Sequence, residues 1–272
     1  MPKKPRGRKK KQAAARKLRK RAAAAAAAAS APGPAQAQGA LDGARAVLVL
    51  EECLARGDWA AVVATMRAEA ERADVQAVGC AALNKIAFRN VEIWKAIASA
   101  GGVEAVVSAL RAHGGAHAEV AKQGCAALSS LAFDADLRKA IASAGGVEAV
   151  VAALRAHGGA HAKVAEQGCW ALMNLAVNNN NKKAIASAGG VELVVAALRA
   201  HGEGNAGVAQ QGCGALDNLC WDTTANAAAI AAAVSAGAVP LVEAAVRAHP
   251  SQADLQKWGP KLLAKLADDG SF

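Results

Sequence analysis

Cysteine and histidine are the residue types in this sequence that most readily bind metal ions, and both recur at fixed intervals. Cys80, Cys125, Cys169 and Cys213 are separated by 45, 44 and 44 residues, and each follows a glycine. A zinc ion needs its sulfur ligands about 2.3 Å away, whereas neighbouring packed helices lie roughly 10 Å apart. We therefore expect the cysteines to be packing residues.

The histidines form two pairs, His113/His117 and His157/His161, each within the sequence "HGGAH". A spacing of four would place two imidazoles on one helical face, but the glycines between them indicate a turn. No third ligand accompanies either pair, and the next copy reads "HGEGN". A histidine that faces the C-terminal dipole of a helix is the simpler interpretation. We expect no metal site and no cofactor.

Catalytic motifs are absent from the sequence. It contains no Gly-x-x-x-x-Gly-Lys-Ser/Thr, no Gly-x-Ser-x-Gly, no His-Glu-x-x-His and no Gly-x-Gly-x-x-Gly after a strand. The glycine-rich turns recur at a regular interval and join helices. The sequence therefore predicts neither an enzyme nor a small-molecule substrate.

Trp170 and Asn174 are the side chains best suited to hold a polypeptide. Four residues separate them, so a ring and an amide lie on one helical face. An extended peptide leaves backbone N–H and C=O groups unpaired, and an asparagine amide offers both an acceptor and donors. The alternative is that Trp170 is only a packed surface aromatic.

The elements that position these residues repeat along the chain with a period near 44 residues. Leu110, Leu154 and Leu198, each followed by Arg-Ala-His, mark it as clearly as the cysteines do. This period excludes repeats of about 33–34 residues and fits helical repeats of about 40–47. Within one copy, apolar spacing predicts a helix in "GGVEAVVSALRAH", a longer one in "HAEVAKQGCAALSSLAF" and a short one in "DADLRKAIAS".

Three helices per repeat and the glycine pair before the middle helix resemble the armadillo family. The motif that carries the resemblance is A-x-x-A-L-x-N-L-A … N-x-x-x-I-x-x-A-G-G-V-E-x-V-V-x-A-L, and it extends over about 58–250. The resemblance implies an all-α fold, a right-handed α-solenoid of about five three-helix repeats with a disordered basic N-terminal tail.

We divide the chain at changes in composition and at degenerate copies of the repeat. The expected parts are a basic tail (1–21), an Ala-rich segment and Pro/Gly linker (22–40), an N-terminal partial capping repeat (41–57), armadillo repeats (58–236) and a C-terminal capping repeat (237–272). The fourth copy has four extra residues, which predict a longer short helix. Pro260 is expected to break the last long helix.

The armadillo resemblance implies that the long helices line a groove that holds an extended peptide. Importin-α-like repeats place Trp-x-x-x-Asn there, and Trp170 to Asn174 is the one copy that fits, so the chain does not have a true importin-α array. We call the three groove-facing positions of each long helix the ladder; they are residues 77, 81, 85; 122, 126, 130; 166, 170, 174; 210, 214, 218; and 257, 261, 265. The expected peptide contacts are Lys85, Lys122, Ser130, Glu166, Trp170, Asn174, Gln210, Asn218, Lys261 and Lys265.

The formal charge of +10 comes from the first 21 residues, which contain 12 Lys and Arg and no acid. The rest of the chain carries 20 bases against 22 acids. The tail resembles a bipartite nuclear localisation signal that importin would bind, and it would also bind nucleic-acid phosphates; a merely solvated extension is the third interpretation. Its candidate contacts are Lys9, Lys10, Lys11, Arg16, Lys17, Arg19, Lys20 and Arg21.

Two functions are compatible with these features of the sequence. The favoured one is a non-catalytic scaffold that binds an extended protein segment in the solenoid groove. The alternative is a nucleic-acid-associated protein of chromatin or ribosome assembly that binds phosphate through its tail. We expect a nuclear or nucleocytoplasmic location, with an organelle transit peptide less favoured. No membrane partner is expected, because no apolar run of about 18 residues is present.

Overall fold

The computed structural model describes residues 34–87, 90–221 and 227–267, and this part of the chain contains α-helices and no β-strand. The helices are α1 Pro34–Arg56, α2 Trp59–Ala68, α3 Ala73–Ala87, α4 Val91–Ser99, α5 Gly102–His113, α6 Ala118–Leu131, α7 Ala135–Ser143, α8 Gly146–His157, α9 Ala162–Leu175, α10 Asn179–Ser187, α11 Gly190–His201, α12 Ala206–Leu219, α13 Ala227–Ser235, α14 Ala238–Ala248 and α15 Ala253–Ala267.

The chain divides into two compact units between Val49 and Leu50. In the first unit the structure describes residues 34–49, which are helical throughout. Helix α1 begins at Pro34, inside the expected linker, because a proline is well tolerated in the first turn of a helix, where its missing N–H would have no partner. The basic tail and residues 22–33 lie outside the described residues.

The second unit is a stack of three-helix repeats, as the sequence predicts. Short, middle and long helices follow one another in α4–α6, α7–α9, α10–α12 and α13–α15, and α2–α3 supply the middle and long helices of an earlier copy. The long helices pack side by side in chain order. A glycine joins each short helix to the middle helix with φ between 77° and 79°, a backbone conformation that side chains disfavour.

Small residues let the helices of one repeat approach closely. We call the four recurring cysteines, Cys80, Cys125, Cys169 and Cys213, the cysteine column. The glycine before each column cysteine faces the middle helix. A Cβ on Gly124 would lie 2.6 Å from Leu110 Cγ, and one on Gly168 would lie the same distance from Leu154 Cγ. The cysteines beside them are fully buried and free. The prediction that the cysteine column serves packing is therefore confirmed.

The recurring Arg-Ala-His segment ties most repeats to a neighbour, although His157 Nε2 is buried and forms no hydrogen bond with the described residues. Arg155 Nη2 donates to Ala188 O at 2.9 Å, which caps the end of the next short helix. His201 Nε2 lies 3.0 Å from Gly158 O in the preceding repeat. Because a carbonyl only accepts, the histidine nitrogen donates. The same contacts recur for Arg67 with Ala100 O, Arg199 with Ala236 O, His113 with Ala70 O and His249 with Gly202 O.

One local prediction was wrong and another is not tested. The described part of helix α13 has nine residues, and the segment before it, which holds the extra residues of this copy, lies mostly outside the described residues. Helix α15 continues through Pro260 because Leu255, Leu262 and Leu266 bury its inner face on both sides of the proline. Pro260 itself is exposed, so the carbonyl that lacks its N–H partner can be hydrated.

Among the described residues no single helix is long and apolar enough to span a membrane. Three consecutive helix pairs reach the required length and composition only together, and they bend by 68°, 73° and 76° at their junctions.

Candidate functional site

The third ladder position of each long helix forms hydrogen bonds between repeats. Each of these side chains bonds to the residue one position before its counterpart in the preceding long helix. The pairs are Ser130 Oγ with Asn84 Oδ1 at 2.6 Å, Asn174 Nδ2 with Ser129 O at 3.0 Å, Asn218 Nδ2 with Met173 O at 2.8 Å, and Lys265 Nζ with Asp217 O at 3.1 Å.

This column satisfies carbonyl groups that the helices themselves leave unpaired. The last four C=O groups of an α-helix have no partner within the helix. Ser129 and Met173 lie in the last turns of α6 and α9, and the next repeat supplies the donor. Asn174 is 7% exposed, and its amide oxygen accepts no hydrogen bond from the described residues. The predicted peptide contact therefore has a structural role and keeps one free acceptor.

Trp170 is half-buried and held by an aromatic cluster that spans two repeats. Its ring meets the edge of Phe133 with centroids 6.3 Å apart and planes at 75°. Phe133 in turn stacks on Trp94 at 5.9 Å and 23°. Trp94 is buried and donates its indole N–H to Ala87 O. Trp170 therefore has a fixed orientation and still presents part of its surface to solvent.

Most ladder charges in the middle of the stack are already paired. Lys122 Nζ lies 2.7 Å from Glu119 Oε2, and Lys163 Nζ lies 2.7 Å from Glu166 Oε2. Gln210 Nε2 donates to Asp254 Oδ2 at 3.2 Å.

At the C-terminal end, Lys265 Nζ lies 2.5 Å from Asp217 Oδ1 and 4.7 Å from the Trp221 ring centroid. Lys265 is therefore a structural cation. By contrast, Lys85, Lys257 and Lys261 are exposed and form no ion pair with the described residues. The ladder charges that remain available to a ligand are all positive.

Metal binding and thiol chemistry receive no support. Among the described residues, no group of three or more His, Cys, Asp or Glu side chains is arranged to hold a metal ion. Burial raises the pKa of Cys80, Cys125, Cys213 and Cys220 to about 12. These thiols are therefore protonated near neutral pH, and a protonated thiol is a poor nucleophile and a poor metal ligand.

Sequence reasoning missed three exposed apolar residues at the ends of long helices: Phe133, Val177 and Trp221. Each lies eight residues after the column cysteine, so the repeat period itself was the signal that could have found them. Their exposed fractions are 53%, 55% and 64%. The eight predicted basic contacts of the tail lie outside the described residues.

Stacked three-helix repeats with a ladder on their long helices define an α-solenoid. An engineered protein is 31% identical in sequence, with 88% of this chain and 86% of that chain covered and a TM-score of 0.61. A designed armadillo repeat protein in complex with the peptide (KR)4 is 21% identical over 87% of this chain and 95% of that chain, with a TM-score of 0.61. The armadillo-repeats-only protein of Plasmodium falciparum is 16% identical over 81% and 97%, with a TM-score of 0.59.

No protein-family model and no curated protein sequence matches the chain. The overall fold is nevertheless shared with the armadillo repeat structures over most of their length. The chain therefore has an armadillo-type repeat fold.

Proposed function

We propose that this protein is a non-catalytic scaffold that binds an extended segment of a partner protein along its ladder. The observation that carries the proposal is Trp170, which is held edge-on by Phe133 and partly open to solvent. It lies one turn before Asn174, whose amide oxygen accepts no hydrogen bond within the part of the chain that the structure describes. A rigid aromatic with an adjacent acceptor is a common anchor for a polypeptide.

The contacts of each side chain within the fold limit the contacts that it can make with the ligand. The Trp170 ring packs against side-chain stems of the bound segment. Asn174 Oδ1 accepts one backbone N–H, while its Nδ2 remains on Ser129 O. Asn218 has the same division of roles, because its Nδ2 donates to Met173 O. The two asparagines therefore supply acceptors, one per repeat, along an extended chain.

The comparisons support a peptide ligand, but the peptide bound in one matching structure has the opposite charge to the one that this ladder would favour. One matching structure is a designed armadillo repeat protein holding (KR)4, a basic peptide, and another is described as designed for modular peptide recognition. In this chain the available ladder charges are lysines, so a basic peptide would be repelled at Lys257 and Lys261.

Co-purification from nuclease-treated cell extract tests the proposal. The baits are the full chain, the chain lacking residues 1–40 and Trp170→Ala, with Ala156→Ser as a matched surface control. We expect proteins retained by the full chain to be retained without the tail and with Ala156→Ser, and lost with Trp170→Ala. Retention of every protein by Trp170→Ala would refute the proposal.

A second candidate function rests on the 12 basic residues among the first 21. In that case the tail binds nucleic acid or directs the protein to the nucleus through importin. Phosphate binding would weaken steeply with salt and vanish when residues 1–21 are deleted. Nucleic-acid affinity that survives the deletion would rule out the tail as the binding element, and cytoplasmic retention of the deletion variant would support a localisation signal.

A further inference from the structure

Large exposed apolar side chains in the second unit are confined to one column. Among the described residues from Leu50 onward they are Phe133, Val177 and Trp221, each 44 residues from the next. We call these three residues the apolar stripe. Scattered single exposed hydrophobics are ordinary, but one per repeat at the same position is a regular pattern, and grouped exposed apolar residues are typical of a binding site.

The stripe and the ladder form one surface. Phe133 contacts Trp170, a ladder residue of the following repeat. Trp221 lies under the Lys265 ammonium, again a ladder residue of the following repeat. Val177 lies in the turn that follows α9, and its backbone N–H donates to Asn174 O at 3.4 Å, so it adjoins the third ladder position. A segment that lies along the ladder therefore also meets the stripe.

The charges beside this surface favour a ligand that carries negative charge. Glu166 is neutralised by Lys163. Lys265, whose ammonium lies over Trp221, is preceded on α15 by Lys261 and Lys257, one and two turns earlier, and these two form no ion pair with the described residues. An apolar stripe beside two such ammonium groups complements a segment that carries both apolar residues and carboxylates.

We propose that the apolar stripe binds the apolar side chains of an extended acidic partner segment, whose carboxylates meet Lys257 and Lys261. This inference rests on the proposed function and specifies its ligand. Packed helices lie about 8–10 Å apart, and an extended chain rises about 3.3 Å per residue. Successive stripe residues are thus about three ligand residues apart, and about 12 residues span the surface.

Fluorescence polarisation with three labelled peptides of about 12 residues, about 40 Å long when extended, tests the proposal on the full chain. The first peptide alternates Leu or Phe with Asp, the second replaces its apolar residues with Ser, and the third replaces its Asp with Lys. We expect the first to bind at least about tenfold more tightly than either of the others.

The protein variants separate the stripe from the rest of the surface. Val177→Ser and Trp221→Ser together, which leave the Phe133 contact with Trp170 intact, should weaken the first peptide by about tenfold or more. The matched control combines Ala156→Ser and Ala200→Ser, which are exposed at the same period on the middle helices and should change nothing. Lys257→Ala with Lys261→Ala should weaken binding and flatten its salt dependence.

The outcomes distinguish this inference from the proposed function. If Trp170→Ala abolishes binding and the stripe variant does not, the proposed function stands and the stripe inference is wrong. If the first peptide does not bind, or binds no better than the Lys peptide, the assigned ligand chemistry is wrong. If neither Trp170→Ala nor the stripe variant changes binding, both proposals fail.

Discussion

Replacing Asn174 with aspartate should destabilise the fold strongly, although the two side chains have the same shape. In the wild type Nδ2 donates to Ser129 O at 3.0 Å, and Asn174 is 7% exposed. Removing the donor of a hydrogen bond so that a buried carbonyl is left unpaired costs about 1–3 kcal/mol. Asn174→Ala should therefore cost about 2 kcal/mol. Asn174→Asp should cost about 3 kcal/mol or more, because a carboxylate would face a carbonyl.

Thermal and urea unfolding, followed by circular dichroism at pH 7, measure the effect. For a domain of this size about 1 kcal/mol shifts the midpoint by about 2–4 °C, so Asn174→Asp should lower it by roughly 6–12 °C. The control is Asn179→Asp, an exposed change at the start of α10, where a negative charge favours the helix dipole. If Asn174→Asp and the wild type have the same unfolding midpoints, the Asn174 amide does not hold the repeats together.

Three further predictions concern the packing of the repeats. Gly145→Ala should cost at least about 1–2 kcal/mol more than Gly159→Ala in urea unfolding. Gly145 has a φ of 78°, and a Cβ at this position would overlap a guanidinium. Gly159 is the control, because nothing lies within 4 Å of a Cβ there. Lys265→Met should cost about 3 kcal/mol by leaving Asp217 unpaired, and adding Asp217→Leu should recover most of it; equal stability of Lys265→Met and wild type would contradict the buried pair.

The third prediction is that native stability falls above pH 9, because burial raises the pKa of Cys125 to about 12 from an ordinary value of 9.0. Stability is full below pH 9 and is lost toward pH 12, by about 1.4 kcal/mol per pH unit for each such thiol. Native thiols should accordingly resist Ellman's reagent at pH 8 until the chain is unfolded, and rapid labelling of the native protein would contradict their burial.

The sequence predicted those features of the fold that depend on residues close together in the chain. The 44-residue period located the repeats, and Asp134, an acid at the start of a short helix, caps α7 by accepting from Asp136 N and Leu137 N. Gly145 ends the short helix in the left-handed conformation that glycine allows. These features follow from the spacing of apolar residues and from the backbone preferences of single residues.

The site was harder to predict because its contacts join residues 37 to 48 positions apart. Asn174 matched a peptide-binding pattern, yet its donor is used by Ser129 O, 45 residues earlier. Whether the Asn174 donor is used in this way depends on how the long helices are aligned against one another. A local sequence pattern does not encode that alignment. Trp170 is likewise oriented by Phe133 from the preceding repeat.

The central claim is that the ladder around Trp170 binds an extended segment of a partner protein. Isothermal titration of a partner segment recovered by co-purification, against wild type and Trp170→Ala of verified folding, tests it most directly. We predict at least about a tenfold loss of affinity for Trp170→Ala and none for Ala156→Ser. Equal affinities for wild type and Trp170→Ala would contradict the claim.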